Sequence, residues 1–338
     1  MNWTTRFFIY APFALFVILS VGVGAYWWST ADRLSARLDA WNGHRLMPGV
    51  TLHFASKTIA GFPFSLDAVF KDFEIDVDTP HGPVKWRAPD FALHALTYGR
   101  DETIFEAAGL QHLDWTGLDG KPHDFRFAAG SLHASAIKDG GGLSRFDLVI
   151  AVFGSPALTA SEVQFHMRRT PGADSVDVFV STSNVHLSPS LRSDFGGVIS
   201  HAALQATLGP EKPLDALRAG NQAWPDAADA WRLAGGSIRV DMLEAAFGRL
   251  DAIGKGALTL DESKRPNGIL DFKIAGFANF VDQMHRRGTN GTGLAAALMD
   301  RAAKAGSNDS GEMGVLIGAK GGIAYVGDEP VGPLDPLY

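Results

Sequence analysis

The chain of 338 residues carries eleven histidines and 37 carboxylates, the groups that could do metal or acid–base chemistry. A catalytic or structural zinc needs three or four ligands converging on one point, commonly with two histidines a helical turn apart. No H-E-x-x-H occurs, and no pair of histidines at that spacing stands beside a third ligand. The closest groupings are His112-x-Asp114 and His123-Asp124, both among strand and turn patterns, so solvent-facing strand histidines are the better reading. Cysteine is absent, which removes thiol catalysis, Cys-ligated zinc and disulfides together. There is no G-x-S-x-G for a hydrolase elbow. The "GTNGTG" run from Gly288 to Gly293 precedes a helical pattern but lacks the Lys-Ser/Thr of a phosphate loop, so it reads as a linker with Thr292 near a helix start. Asp76 and Asp78 share a strand face at i, i+2 and could meet a cation, though such pairs are usually solvated surface. No catalytic residue, metal or cofactor is expected.

The remaining chemistry is apolar. In "IAGFPFSLDAVFKDFEIDVD", Ile59 to Asp78, the residues Phe62, Phe64, Leu66 and Phe70 alternate on one parity, while Phe73 and Ile75 fall on the other. Side chains on a strand have a period of two, so this slip means either a bulge near Lys71-Asp72 or two differently facing apolar surfaces. The stripe is a candidate wall of a hydrophobic groove in a curved sheet; a closed aromatic core is the competing reading.

The elements that would carry such a stripe are mostly strands. From Val50 to about Leu208, period-two runs recur as "VTLHF", "VKWRA", "FRFAA", "FDLVIAV", "VQFHM" and "VDVFV". Gly- and Pro-bearing turns such as "DTPHGP", "KDGGGLS" and "TPGADS" separate them, and no βαβ alternation appears, so an antiparallel meander is expected. Helices are expected from Pro213, again after Pro225, over Ala278 to Arg287, and from Leu294. Between them "GALTLDESKRPNGILDFKI" reads as a hairpin with Leu258 and Leu260 opposite Leu270, Phe272 and Ile274. The fold class is therefore mainly β, a large antiparallel curved sheet with a few helices. With 30 basic against 37 acidic residues, net charge −7, nothing favours binding to nucleic acid.

The N-terminus supplies the address. Phe7 to Trp28 holds no charge, about the length that crosses a bilayer core, with Phe7, Phe8, Phe13, Leu15, Phe16, Val17, Ile18 and Leu19 within it and Trp27 and Trp28 at its end. A retained anchor over 1–30 is the preferred reading. A signal peptide cleaved near Val23-Gly24-Ala25 is the alternative, and both export the rest. Leu34, Leu38 and Trp41 continue helical spacing, giving an amphipathic stalk over 31–48 that stops at "MPG". The exported body spans 49–338, in one part or in two joined near 209–235.

On the anchor, "GFPFSL" at Gly61 to Leu66, the "GALTLDESKRPNGILDFKIAGF" ladder and the closing "PVGPLDPLY", the sequence resembles a bacterial family of envelope proteins of unknown function. The grammar is also similar to that of AsmA-like proteins, and that likeness implies a long sheet curled into an apolar groove and a part in lipid movement between membranes. No catalytic residues come with it. The expected function is non-enzymatic handling of lipid or another hydrophobic envelope component, in a protein held in the bacterial inner membrane by one span with its bulk periplasmic. The rival is a scaffold or assembly factor that binds another envelope protein, with its sheet faces closed as core. An exported hydrolase comes third, for want of a nucleophile beside a base.

Overall fold

A computed structural model describes residues 3–338 except 81, 97–101, 118–119, 193, 278–279, 281, 283–285, 287–293 and 306–311; for 3–12, 96, 294 and 301–305 it gives backbone alone. The helix expected over Ala278 to Arg287 and the Gly288 to Gly293 run therefore lie largely or wholly outside the described residues.

One unbroken helix, α1 (Trp3–Trp41), joins the apolar segment to the body. It stops short of the expected end at 48. Gly43 adopts φ +78°, and the Asn42 amide clamps Phe54, donating to its carbonyl and accepting its N–H at 3.0 Å each. A left-handed residue just past the last turn is a common way to end a helix. The "MPG" segment is instead a hairpin turn, with β1 (His44–Met47) folded back on β2 (Val50–His53) across Gly49.

Among the described residues, sixteen further strands extend the same sheet, all in antiparallel pairs. They are β3 (Ser56–Ala60), β4 (Ser65–Thr79), β5 (Gly82–Leu96), β6 (Glu102–Ala108), β7 (Leu110–Thr116), β8 (Pro122–Asp139), β9 (Gly142–Gly154), β10 (Leu158–Arg169) and β11 (Val176–Leu187), followed by β12 (Val198–Gly209), β13 (Ser237–Phe247), β14 (Leu250–Leu260), β15 (Pro266–Ala275), β16 (Met313–Lys320), β17 (Ile323–Val326) and β18 (Glu329–Pro333). The order in space follows the chain, apart from two shared lanes: β2 and β3 both pair with β4, and β6 and β7 both lie between β5 and β8. The helical interval α2 (Asp215–Arg218) and α3 (Trp224–Leu233) leaves the sheet uninterrupted, because β12 pairs directly with β13 from Ile199↔Phe247 to Gly209↔Ser237. Buried Glu211 ties that interval down, accepting from Arg169 Nε at 2.6 Å and pairing with Arg218.

The parity slip in β4 recurs across the sheet. Residues on the packed face step by three instead of two at one level: Phe70 to Phe73 in β4, Ala88 to Phe91 in β5, Ala129 to Leu132 in β8, and Ile150 to Phe153 in β9. The step continues as Ala160 to Val163 in β10, Thr182 to Val185 in β11 and Ile199 to Ala202 in β12. Asp72 (φ 50°), Gly109 (φ 81°), Val152 (φ 53°) and Asn184 (φ 49°) supply left-handed residues on alternate lanes of this line. Neighbours flip together, so the pairing survives it, as in Lys71↔Asp90 followed by Phe73↔Ala88. The strand residues of the stripe on either side of the slip, Leu66 and Phe70, then Phe73 and Ile75, thus face the same side.

Two cores sit on that face. The first packs Leu52, Phe54, Phe70, Phe73, Phe91 and Phe127 under the end of α1, where Leu38 is buried and Leu34 and Trp41 pack alongside. The second packs Leu250, Phe272, Ile274, Met313 and Val315 under α4 (Leu294–Ala305), through Leu298 and Met299. The hairpin leading into it has another register than expected: Leu258 lies opposite Gly268, Leu260 opposite Pro266, and Phe272 opposite Gly254. Asp261 closes the turn early, accepting the Arg265 backbone N–H at 2.9 Å, so β15 begins at Pro266.

Candidate functional site

Between the two cores, β9 to β13 form an apolar groove of about 640 Å³. Its floor is made of small side chains, Ala160, Ala202 and Ala245, where the flanking lanes carry phenylalanine and leucine. Its walls include Val163, Val180 and Leu204. Phe153 and Ile150 line one margin and belong to the first core, while Leu243 at the other margin packs on the second. Small residues in place of large ones on an otherwise filled face leave volume that no side chain occupies. The line of parity steps crosses the groove, since its lining residues lie on both sides of that line.

The stripe proposed from sequence lies apart from this groove. Phe70 is 1% exposed and Phe73 3%, with Phe73 stacked on Phe91 at 4.0 Å. Ile75 packs half-buried on the same cluster. Leu66 is buried with Trp27 and Ala31 of α1. Phe62 and Phe64 are 57% and 65% exposed, on the turn between β3 and β4. The structure thus divides the six residues between core and turn, and none of them lines the β9–β13 groove. A signal for the groove was present at "HAALQA", His201 to Ala206, where the inward positions Ala202 and Ala206 are small on either side of Leu204. Period-two patterns register burial but not whether the facing layer is filled.

Within the anchor, Phe13, Leu15, Phe16, Val17, Ile18 and Leu19 are exposed, as is Trp28, whereas Trp27 is buried against the sheet. Phe7 and Phe8 fall where only the helix backbone is described. The helix is long and apolar enough to cross a membrane.

The opposite face carries the charges, paired across strands. His166 Nδ1 lies 2.6 Å from Asp147, which also accepts from Arg145 Nε at 2.6 Å. Burial pushes the Asp147 carboxyl up, but these two hydrogen bonds outweigh it and hold it below the ordinary carboxylate range. Asp241 is likewise lowered, chiefly by Arg239. These residues line a polar hollow of about 760 Å³ in which each acid already has a basic neighbour. His53, Glu74 and Asp76 bring ligand atoms within 4.8 Å of one another. Lys85 Nζ, 3.0 Å from Asp76 and 3.7 Å from Glu74, supplies that cluster with an internal cation, and its own pKa is raised, first by the Asp76 hydrogen bond. The His/carboxylate groupings singled out from sequence are also engaged: Asp114 pairs with Arg87, Asp124 with Arg126, and His123 stacks on Trp115 at 5.1 Å.

No curated protein matches the chain. A family model described as an uncharacterized protein conserved in bacteria (DUF2125) matches residues 27–335. The match opens at Trp27, where α1 meets the turn before β4, and takes in every strand of the described residues. The chain therefore belongs to this bacterial family, DUF2125.

Proposed function

We propose that the protein is a membrane-anchored envelope protein that holds the acyl chain of a lipid, or a like hydrophobic envelope component, in the β9–β13 groove and does no chemistry on it. One observation carries this reading: an open apolar volume of about 640 Å³ on a sheet face that is covered by helices on either side. That volume lies within the range of about 300–1,000 Å³ typical of small-molecule sites. An apolar patch left uncovered usually marks a contact that the isolated chain lacks. Support also comes from α1, which would keep the body beside a source of lipid, with α1 in the inner membrane and the sheet periplasmic. The resemblance of the sequence grammar to that of AsmA-like proteins points the same way, as an analogy of fold alone.

The test compares the full chain with a Val180→Asp/Leu204→Asp variant, both purified from bacterial membranes in the same mild detergent. Both positions are half-buried groove walls, so carboxylates there remain partly solvated and the sheet folds. The wild type is expected to retain more phospholipid, by about one equivalent per chain, since the anchor is common to both. Equal lipid content in the two would overturn the reading and turn attention to a protein partner. A Phe73→Asp change reports something else: it buries a charge in the first core and should unfold the protein, at a cost of at least ~3–5 kcal/mol.

A further inference from the structure

The turn between β3 and β4 is held against the exit of the apolar helix. Trp27 Nε1 donates to the Ser65 carbonyl at 2.7 Å, and the Trp27 ring meets the Phe62 ring edge-on at 5.4 Å. Leu66 and Ala31 complete the contact. The turn is closed by Gly61, whose carbonyl accepts from Phe64 N at 3.1 Å and Ser65 N at 2.9 Å. Gly61 sits at φ +95°, and a Cβ there would fall 2.4 Å from Ser65 Oγ, so only glycine allows this tight return. The result presents Phe62 and Phe64 outward and exposed at the level of Trp27, whose chain neighbours Tyr26 and Trp28 are exposed as well.

Water is a poor surrounding for two large aromatic rings exposed on one short turn, and segment 59–66 contains no charged residue. The helix fixes what the surrounding is. Phe7 to Trp28 spans about 33 Å at 1.5 Å per residue, close to a bilayer core of roughly 30 Å, which sets Tyr26 to Trp28 at the headgroup level. Arg33 and Arg37, exposed one and two turns further on, stand where side chains reach anionic headgroups.

We infer that the Gly61–Ser65 turn is a second membrane contact: Phe62 and Phe64 enter the bilayer interface beside Trp28, so that the sheet is oriented on the membrane surface instead of swinging on a flexible tether. The inference rests on α1 being a span and not on the groove's having a ligand, so the two proposals fail separately.

The absence of cysteine makes the experiment direct. Single Phe64→Cys, Ser29→Cys and Leu233→Cys variants of the full chain are spin-labelled and reconstituted into vesicles of phosphatidylcholine and phosphatidylglycerol. Leu233 is the aqueous reference, exposed at the end of α3, and Ser29 marks the helix exit. The label at 64 is expected to collide with a water-soluble nickel chelate several-fold less often than that at 233, and with dissolved oxygen more often, matching the label at 29. A label at 64 as open to the chelate as that at 233 overturns the inference, whatever is found at 29. Position 64 is exposed, so the substitution leaves the core intact, and an unchanged urea midpoint checks that.

Discussion

At the scale of single residues, the polar face is a network of ions in which Asp147 carries a measurable consequence. Its carboxyl is held below the usual range by His166 and Arg145 against the opposing pull of burial. A group whose folded pKa is depressed contributes stability that is present above its unfolded value and is lost as pH falls through the lower folded value. Stability measured by urea midpoints should therefore decline on the acid side of the ordinary carboxylate range. Asp147→Asn should be less stable than the wild type at neutral pH and show a shallower acid decline, and parallel pH profiles for the two would remove Asp147 from that account. Arg145 and Asp147 share a strand face at i, i+2, but the partner across the strands could not be read from the linear chain. His166 and Asp147 lie on neighbouring strands and are brought opposite by the β9–β10 register, a relation that within-strand periodicity does not contain.

At the scale of elements, more was legible. The antiparallel strands, the helix after Pro225 and the helix from Leu294 follow from spacing and turn chemistry, and the slip near Lys71-Asp72 was visible as a change of parity. What could not be read is that seven strands break at one level, because each break taken alone resembles ordinary noise in a two-residue pattern. The β14–β15 register was displaced for a related reason. The glycines that face Phe272 and Leu270 carry no hydrophobic signal, yet Gly254 is where the Phe272 ring lies, 2.5 Å from where a Cβ would be. The line of breaks predicts two opposite effects. Gly109 sits at φ 81°, with Pro89 Cγ 2.8 Å from any added Cβ, so Gly109→Ala should destabilise by about 2 kcal/mol. Val152 holds a β-branched side chain at φ 53°, a costly conformation, and is 69% exposed. Val152→Gly relieves that strain against a glycine penalty of roughly 0.5–1 kcal/mol, leaving it neutral to about 1 kcal/mol more stable. Urea midpoints of the two variants moving in the same direction would contradict the left-handed assignment.

At the scale of the whole molecule, one continuous sheet carries two separate cores, and the lanes that join them are the least filled. Sequence patterning identified the sheet but put the groove in the wrong-sized residues: phenylalanine fills its own face, and the open volume arises where alanine stands instead. In a meander each lane is stabilised by its neighbours and by whatever covers its faces, so β10 to β12 depend on backbone pairing and a thin layer of side chains. Their amides should exchange with deuterium faster than those of β4–β5 or β15–β16 in the full chain stripped of lipid in detergent. A ligand that binds only the folded groove slows opening by a factor of 1 + [L]/Kd, about 2.7 kcal/mol or some hundredfold at ligand a hundred times its Kd. Added phospholipid should therefore slow exchange in β10–β12 and at their margins in β9 and β13, while leaving β4–β5 and β15–β16 unchanged. Slowing spread evenly over the sheet would mean that lipid acts through the anchor, and slowing confined to the β3–β4 turn would assign it to the membrane contact at Phe62 and Phe64. Only protection centred on Val180 and Leu204 is compatible with a chain lying on the alanine floor.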